Sequence, residues 1–283
     1  MGKRRTKAEI NTIREAMYDA LREDHPMSVR QVFYRMTILG VVPKTEAQYK
    51  NTVCRLLADM RREGVVPYSW IADSTRWVRQ ARTYSSMEQA LWRTAQTYRR
   101  ALWDNMGVHV EVWLEKEALA GVLYQETEAW DIPLYVTRGY PSLSYLHTAG
   151  EFISSLDKPT VLYYFGDHDP SGVDIARKVE AGVLGFVDAP DLITFERVAV
   201  VPWQIEAWEL PTRPTKKTDS RSKNFKGESV EVDAIPPKQL RALVRQCAER
   251  HMDPYELERI KEVEQLERET LETYVERLRF EGH

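Results

Sequence analysis

Three carboxylates in this 283-residue chain stand where phosphoryl-transfer chemistry needs them. Glu115 directly follows the apolar run 108–114. Asp167 and Asp169 follow a second run, 161–165, with Gly166 between. Short apolar runs of this kind read as buried strands. In a parallel sheet, ligands gather beyond the carboxyl ends of strands, where strand order reverses. Two such ends can bring Glu115, Asp167 and Asp169 to one point although they are distant in sequence. A cluster of this sort repels itself unless cations neutralise it, and hard oxygen ligands select Mg²⁺, with Mn²⁺ as the alternative. Such ions stabilise the charge that develops during phosphoryl transfer. A second reading stays open, because Asp-x-Asp-Pro-x-Gly also forms turns and acidic residues cap the helix that follows.

The elements that would hold these acids alternate. Apolar runs at 108–114, 134–137, 161–165 and 195–201 are separated by helical patterns near 116–125, 143–156 and 172–184. That alternation predicts a parallel α/β sheet of Rossmann-like type. Ahead of it, Ile10, Ile13, Met17, Ala20 and Leu21 recur at helical spacing. Ser28 can cap a second helix running to about Leu39, and Thr45, with Gln48 at the capping-box position, opens a third that ends at Gly64. Residues 65–71 then read as a short strand and wing, so three helices plus a wing predict a winged helix-turn-helix. On the third helix Tyr49, Val53, Leu56, Leu57 and Met60 share one side, while Asn51, Arg55, Ala58 and Arg62 share the other. A recognition helix in a DNA groove needs such an apolar back and basic front, and a merely solvated face would look the same.

Charge is uneven. Residues 1–105 carry a net +8 and the remainder −11, as expected for a DNA-docking module joined to something else. A helix at 87–104 would link the two. The expected division is 1–105 for the winged-helix module with its linker, 106–202 for the sheet domain, and 203–283 for a basic loop and helical extension. In that loop Arg213, Lys216, Lys217, Arg221, Lys223 and Lys226 can close over a nucleic-acid backbone, or can simply be solvated. Charged helices follow at 237–250 and 254–280.

Several classes are excluded. No apolar run reaches the length of a membrane span, and no apolar stretch follows the basic N-terminus as a secretory signal would require. Cys54 and Cys247 form no CxxC pair, which suits a reducing cytoplasm. There is no GxxxxGK[ST] loop, no GxGxxG after a strand and no HExxH. His168 lies between two proposed ligands, and tryptophans such as Trp70, Trp77, Trp92 and Trp103 read as packing residues.

Three segments around the acids form recognisable motifs. Leu114-Glu115-Lys116-Glu117-Ala118 resembles the Glu-Lys-Glu-Ala motif of Toprim domains in the DNA-cleaving component of topoisomerase VI and in the meiotic double-strand-break proteins. Asp167-His168-Asp169-Pro170-Ser171-Gly172 resembles that family's Asp-x-Asp-Pro-x-Gly motif, and Arg138-Gly139-Tyr140-Pro141-Ser142 its Gly-Tyr-Pro segment. The order agrees as well. The resemblance covers roughly residues 25–200 and implies Glu115, Asp167 and Asp169 as metal ligands, with Lys116 and Arg138 near phosphate.

The same family places a catalytic tyrosine in an Arg-x-x-aromatic-Tyr motif of its winged helix. Val29-Arg30-Gln31-Val32-Phe33-Tyr34 is similar, which implies Tyr34 as nucleophile, with Arg30 one turn earlier to orient phosphate. On the wheel Tyr34 leaves the stripe formed by Val29, Val32, Phe33 and Met36, as a nucleophile would. A tyrosine packing at a domain or subunit interface would leave it too. A phenol near its ordinary pKa of ~10 also needs nearby positive charge to attack.

The function expected is Mg²⁺-dependent cleavage of double-stranded DNA by tyrosine transesterification, by a homodimer, with strand passage requiring a separate ATPase component. The rivals are a Toprim nuclease using metal-activated water, and a winged-helix DNA-binding protein whose Toprim fold is only a scaffold. A Toprim primase is more distant, since no zinc module precedes the domain.

Overall fold

A computed structural model describes residues 5–72, 81–104, 106–214, 225 and 227–281, with side chains to 277. Trp77, Lys216, Lys217, Arg221, Lys223 and Lys226 lie outside these residues, so their expected roles stay with the sequence.

The chain opens with α1 (Lys7–Glu23) and α2 (Val29–Ile38). Helix α1 starts in a capping box between Thr6 and Glu9 and buries Ile13, Met17, Ala20 and Leu21. Ser28 caps α2 as expected. Its hydroxyl accepts from the Gln31 amide (3.2 Å) while Gln31 Oε1 accepts from the Ser28 amide (2.9 Å). Because this reciprocal cap is buried, Ser28→Ala is expected to cost about 1–2 kcal/mol, read as a lower urea midpoint at unchanged slope. An unmoved midpoint would show that water replaces the cap.

The third helix is not uniform. It runs as α3 (Glu46–Gln48), a π-helical turn at Tyr49–Cys54 and α4 (Arg55–Arg62). In the wide turn Thr52 faces inward, where it accepts from Arg5 (2.7 Å) and donates to Gln48 Oε1 (2.8 Å). That bond draws the Gln48 side chain forward, so only the Thr45 half of the expected capping box forms. The expected strand at 65–71 is absent. Pro67 has no N–H to give a ladder, and Tyr68–Trp70 form a 3₁₀ turn instead. Only Ile71 bridges, beside Met27.

The linker helix α5 (Met87–Thr97) ends earlier than its periodicity suggests, because tertiary partners hold the next residues extended. The Tyr98 hydroxyl donates to Glu267 (2.8 Å), the Arg100 amide to Glu264 (2.8 Å) and the Leu102 amide to Asp131 (3.0 Å).

The second half is a four-stranded all-parallel sheet. Strands β1 (His109–Leu114), β2 (Leu134–Val136), β3 (Thr160–Phe165) and β4 (Ile193–Ala199) lie in the order β2-β1-β3-β4. Side chains alternate across it. Val110, Val112, Leu114, Tyr163 and Phe165 face one apolar core, and Trp113, Leu162 and Tyr164 face another. The second core is closed by α7 (Leu143–Leu156) and α8 (Pro170–Leu184), and α6 (Ala120–Ala129) lies over the first.

After α9 (Pro202–Ala207), the last third does not stand apart as an extension. Val230, Val232, Ala234 and Ile235 enter the first core, and α10 (Pro237–Glu249) brings Leu240, Leu243, Val244, Cys247 and Ala248 into it at helical spacing. The long α11 (Pro254–Glu281) packs along α5. Among the described residues no helix is long and apolar enough to cross a membrane.

Candidate active site

The strand order reverses between β1 and β3. The chain leaves β1 for β2 on one side, then crosses to β3 on the other, so their adjacent carboxyl ends form a switch point. Glu115 directly follows β1 there, its amide donating to Phe165 O (2.9 Å). The Glu115 carboxylate reaches across this junction to the loop after β3, where its Oε2 accepts from the Asp167 amide at 3.0 Å, and both acids are buried. The junction tolerates no side chain, since a Cβ on Gly166 would stand 2.5 Å from Glu115 Oε2 and one on Gly172 2.2 Å from the Asp167 carbonyl oxygen.

Burial raises the Glu115 pKa to about 7, with the Asp167 charge adding to the shift. Burial also raises that of Asp167, against the pull of Lys116 and the Val232 amide. Asp167 Oδ1 accepts from that amide at 2.8 Å and lies 3.0 Å from Lys116 Nζ.

Asp169 is turned elsewhere. Its Oδ1 caps α8 through the Gly172 amide (2.8 Å), and Oδ2 lies 3.5 Å from Arg213. Among the described residues no three Asp, Glu, His or Cys side chains are grouped to hold a metal ion. The donor chemistry of Glu115 and Asp167 still fits Mg²⁺, which commonly takes one or two carboxylates and keeps much of its water. Asp169 takes the capping role that its turn motif left open.

Two acids unforeseen in the sequence complete the centre. Backbone bridges of His168 with Val230 and Arg213 with Ser229 lay residues 229–233 beside the loop after β3. This brings in Glu231 and Asp233, both buried. Lys116 lies at the middle, with its Nζ 2.7 Å from Asp233 and 3.3 Å from Glu231. Burial opposes its charge, but Asp233, Asp167 and Glu231 outweigh that and hold its pKa above the ordinary lysine value. Burial likewise works against the Glu231 charge, yet Lys116, Arg213 and Arg30 bring its pKa down to about 2. The only trace in the sequence is a pair of acids inside the apolar run Val230–Ile235.

Comparison with models of known protein families and with curated proteins finds no match. Function is therefore read from the side chains.

Tyr34 leaves the core of its own helical module, as the wheel indicates, but it is 3% exposed and belongs to the core of the sheet half, on the helix that packs against residues 232–234. Burial and the Glu231 charge raise its pKa well above the ordinary tyrosine value, against Arg30 and Lys116. The Lys44 ammonium stands 5.2 Å from its ring centre while donating to Pro211 O and Thr212 O (2.8 Å each). Arg30 reaches Glu46 (3.0 Å) and Glu231 (3.4 Å).

Arg138, with φ +53°, is exposed and pairs with Glu117. Asn51, Arg55 and Arg62 are solvent-facing, and Asp59 lies between the two arginines at 3.7 and 3.6 Å. Arg197, from β4, donates to the Asp167 carbonyl oxygen, and its buried Nε has no hydrogen-bond partner among the described residues.

Proposed function

We propose that this chain is a Mg²⁺-dependent nuclease that cleaves double-stranded DNA with water as the attacking group. The observation that carries this reading is the meeting of Glu115 and Asp167 at the carboxyl ends of β1 and β3, beside Lys116, Arg213 and Arg30. When bound, a divalent ion polarises a phosphodiester and lowers the pKa of water. The chain supplies the rest. Glu115 and Asp167 would hold the ion, Gly166 keeps their approach open, and Arg197 fixes the Asp167 backbone.

We read the sheet half as a Toprim-type domain and the N-terminal helices as a helix-turn-helix docking module. Cutting both strands needs two sites, so the active form would be a homodimer.

Water is favoured over Tyr34 because the phenol is buried and its ionisation is opposed by Glu231 and Asp233. Transesterification would first require the helical module to lift from the sheet half. The test is plasmid cleavage with Mg²⁺, followed by denaturation and analysis of the ends. Tyr34→Phe is expected to keep activity within about threefold, with no protein attached to the DNA. Covalent attachment that disappears in Tyr34→Phe would overturn the water mechanism and leave the tyrosine as nucleophile. Absence of any Mg²⁺-dependent cleavage, with tight salt-sensitive binding, would instead make the chain a DNA-binding protein.

A further inference from the structure

Three cations from three separate parts of the chain close on one buried carboxylate. Arg213 Nη1 lies 2.6 Å from Glu231 Oε1, while Lys116 Nζ and Arg30 Nε lie 3.3 and 3.4 Å from Glu231 Oε2. Arg30 comes from α2, Lys116 from the end of β1, and Arg213 from the residue bridged to Ser229. Two guanidinium forks and an ammonium are the groups that recognise a phosphate, and a carboxylate presents them with the same kind of anionic oxygen.

The surroundings suit an exchange of one anion for another. Glu231 itself is buried, but the side chains of Arg213 and Arg30 are 38% and 24% exposed, so the cradle opens to solvent on the cationic side. It also borders the cleavage acids directly, because Lys116 lies 3.0 Å from Asp167 and Arg213 3.5 Å from Asp169. A backbone phosphate held there would lie next to the Glu115–Asp167 pair. Lys116 would keep its bond to Asp233 (2.7 Å), and Arg30 its bond to Glu46 (3.0 Å), so the cradle need not come apart when Glu231 leaves.

We propose that Arg30, Lys116 and Arg213 form a binding site for a nucleic-acid phosphodiester, and that the Glu231 carboxylate fills its anion position until nucleic acid arrives. This deepens the nuclease reading and rests on it for the identity of the ligand. The contact acts as a built-in competitor: Glu231 lowers affinity for any backbone that cannot displace it. The same carboxylate ties α2 to the sheet half, so its displacement would also loosen the helical module.

Binding of a fluorescent DNA duplex in EDTA tests this without any contribution from cleavage, so the result stands whether or not the chain cuts. Glu231→Gln is expected to bind about five- to tenfold more tightly than wild type, and the dependence of log Kd on log salt is expected to steepen by about one phosphate contact. Arg213→Gln should weaken binding and flatten that dependence by a similar amount. Unchanged or weaker affinity of a folded Glu231→Gln protein would overturn the proposal, as would full affinity in Arg213→Gln. If Glu231→Gln does not fold, Glu231→Asp, with a shorter reach to the cradle, is read in the same way. Inorganic phosphate that binds Glu231→Gln in place of the duplex would also overturn it, because the site would then belong to a free phosphate.

Discussion

Asp167→Asn is expected to reduce Mg²⁺-dependent cleavage of plasmid DNA by at least about a thousandfold, the equivalent of ~4 kcal/mol of transition-state stabilisation. The substitution is chosen for what it keeps. An amide oxygen can still accept from the Val232 amide, now 2.8 Å from Asp167 Oδ1, and can still face Lys116 at 3.0 Å. The loop after β3 should therefore stay in place, and the backbone bond from the Asp167 amide to Glu115 is untouched. What disappears is one of two buried negative charges and its capacity to hold a hard cation. Duplex affinity in EDTA and the melting temperature are the controls, and both should stay close to wild type. Cleavage within tenfold of wild type, at unchanged affinity, would remove Asp167 from the chemistry. It would also take the Glu115–Asp167 pair, joined by the bond from the Asp167 amide to Glu115, out of the catalytic centre.

That pair is legible in the sequence because strand ends are legible. Apolar runs bounded by Gly, Pro and acids mark all four strands to within about two residues, and a residue just past a strand end has little freedom of position. The order β2-β1-β3-β4 is not legible, since it depends on where each crossover helix packs. Asp169 reads as a ligand, yet its turn motif also describes a helix cap, and the Gly172 amide is the partner it takes. Glu231 and Asp233 are hidden for a different reason. They reach the site through two isolated bridges, which leave no periodicity and depend on pairing across distant parts of the chain. Tyr34 shows the limit of a helical wheel. The wheel locates the face on which Tyr34 leaves its own module, but it cannot show that the core of the sheet half takes that face in. The expected wing fails where Pro67 denies a ladder its N–H.

The largest effect on stability is expected at Lys116. Lys116→Met keeps an unbranched apolar stem, one atom shorter, and removes the ammonium with its charge and its donors. In the native chain the ammonium lies 2.7 Å from Asp233, 3.0 Å from Asp167 and 3.3 Å from Glu231. Those carboxylates are buried, and Arg213 and Arg30 serve Glu231 alone among the three. Without the ammonium, Asp167 and Asp233, both buried, would face each other with their principal cation gone. Breaking a buried pair on one side costs about 3–5 kcal/mol, and urea denaturation should show a loss in that range. Lys116→Arg separates charge from shape, because a planar fork restores the charge but cannot point at three carboxylates as an ammonium does, and it should recover only part of the loss. Added salt should recover little in Lys116→Met, since charges out of solvent are poorly screened. A loss below about 1 kcal/mol would mean that the centre behaves as a surface ion pair. The carboxylates would then be wet enough to do without Lys116, and the cradle around Glu231 would lose the low-dielectric setting that gives its exchange for a phosphate its force.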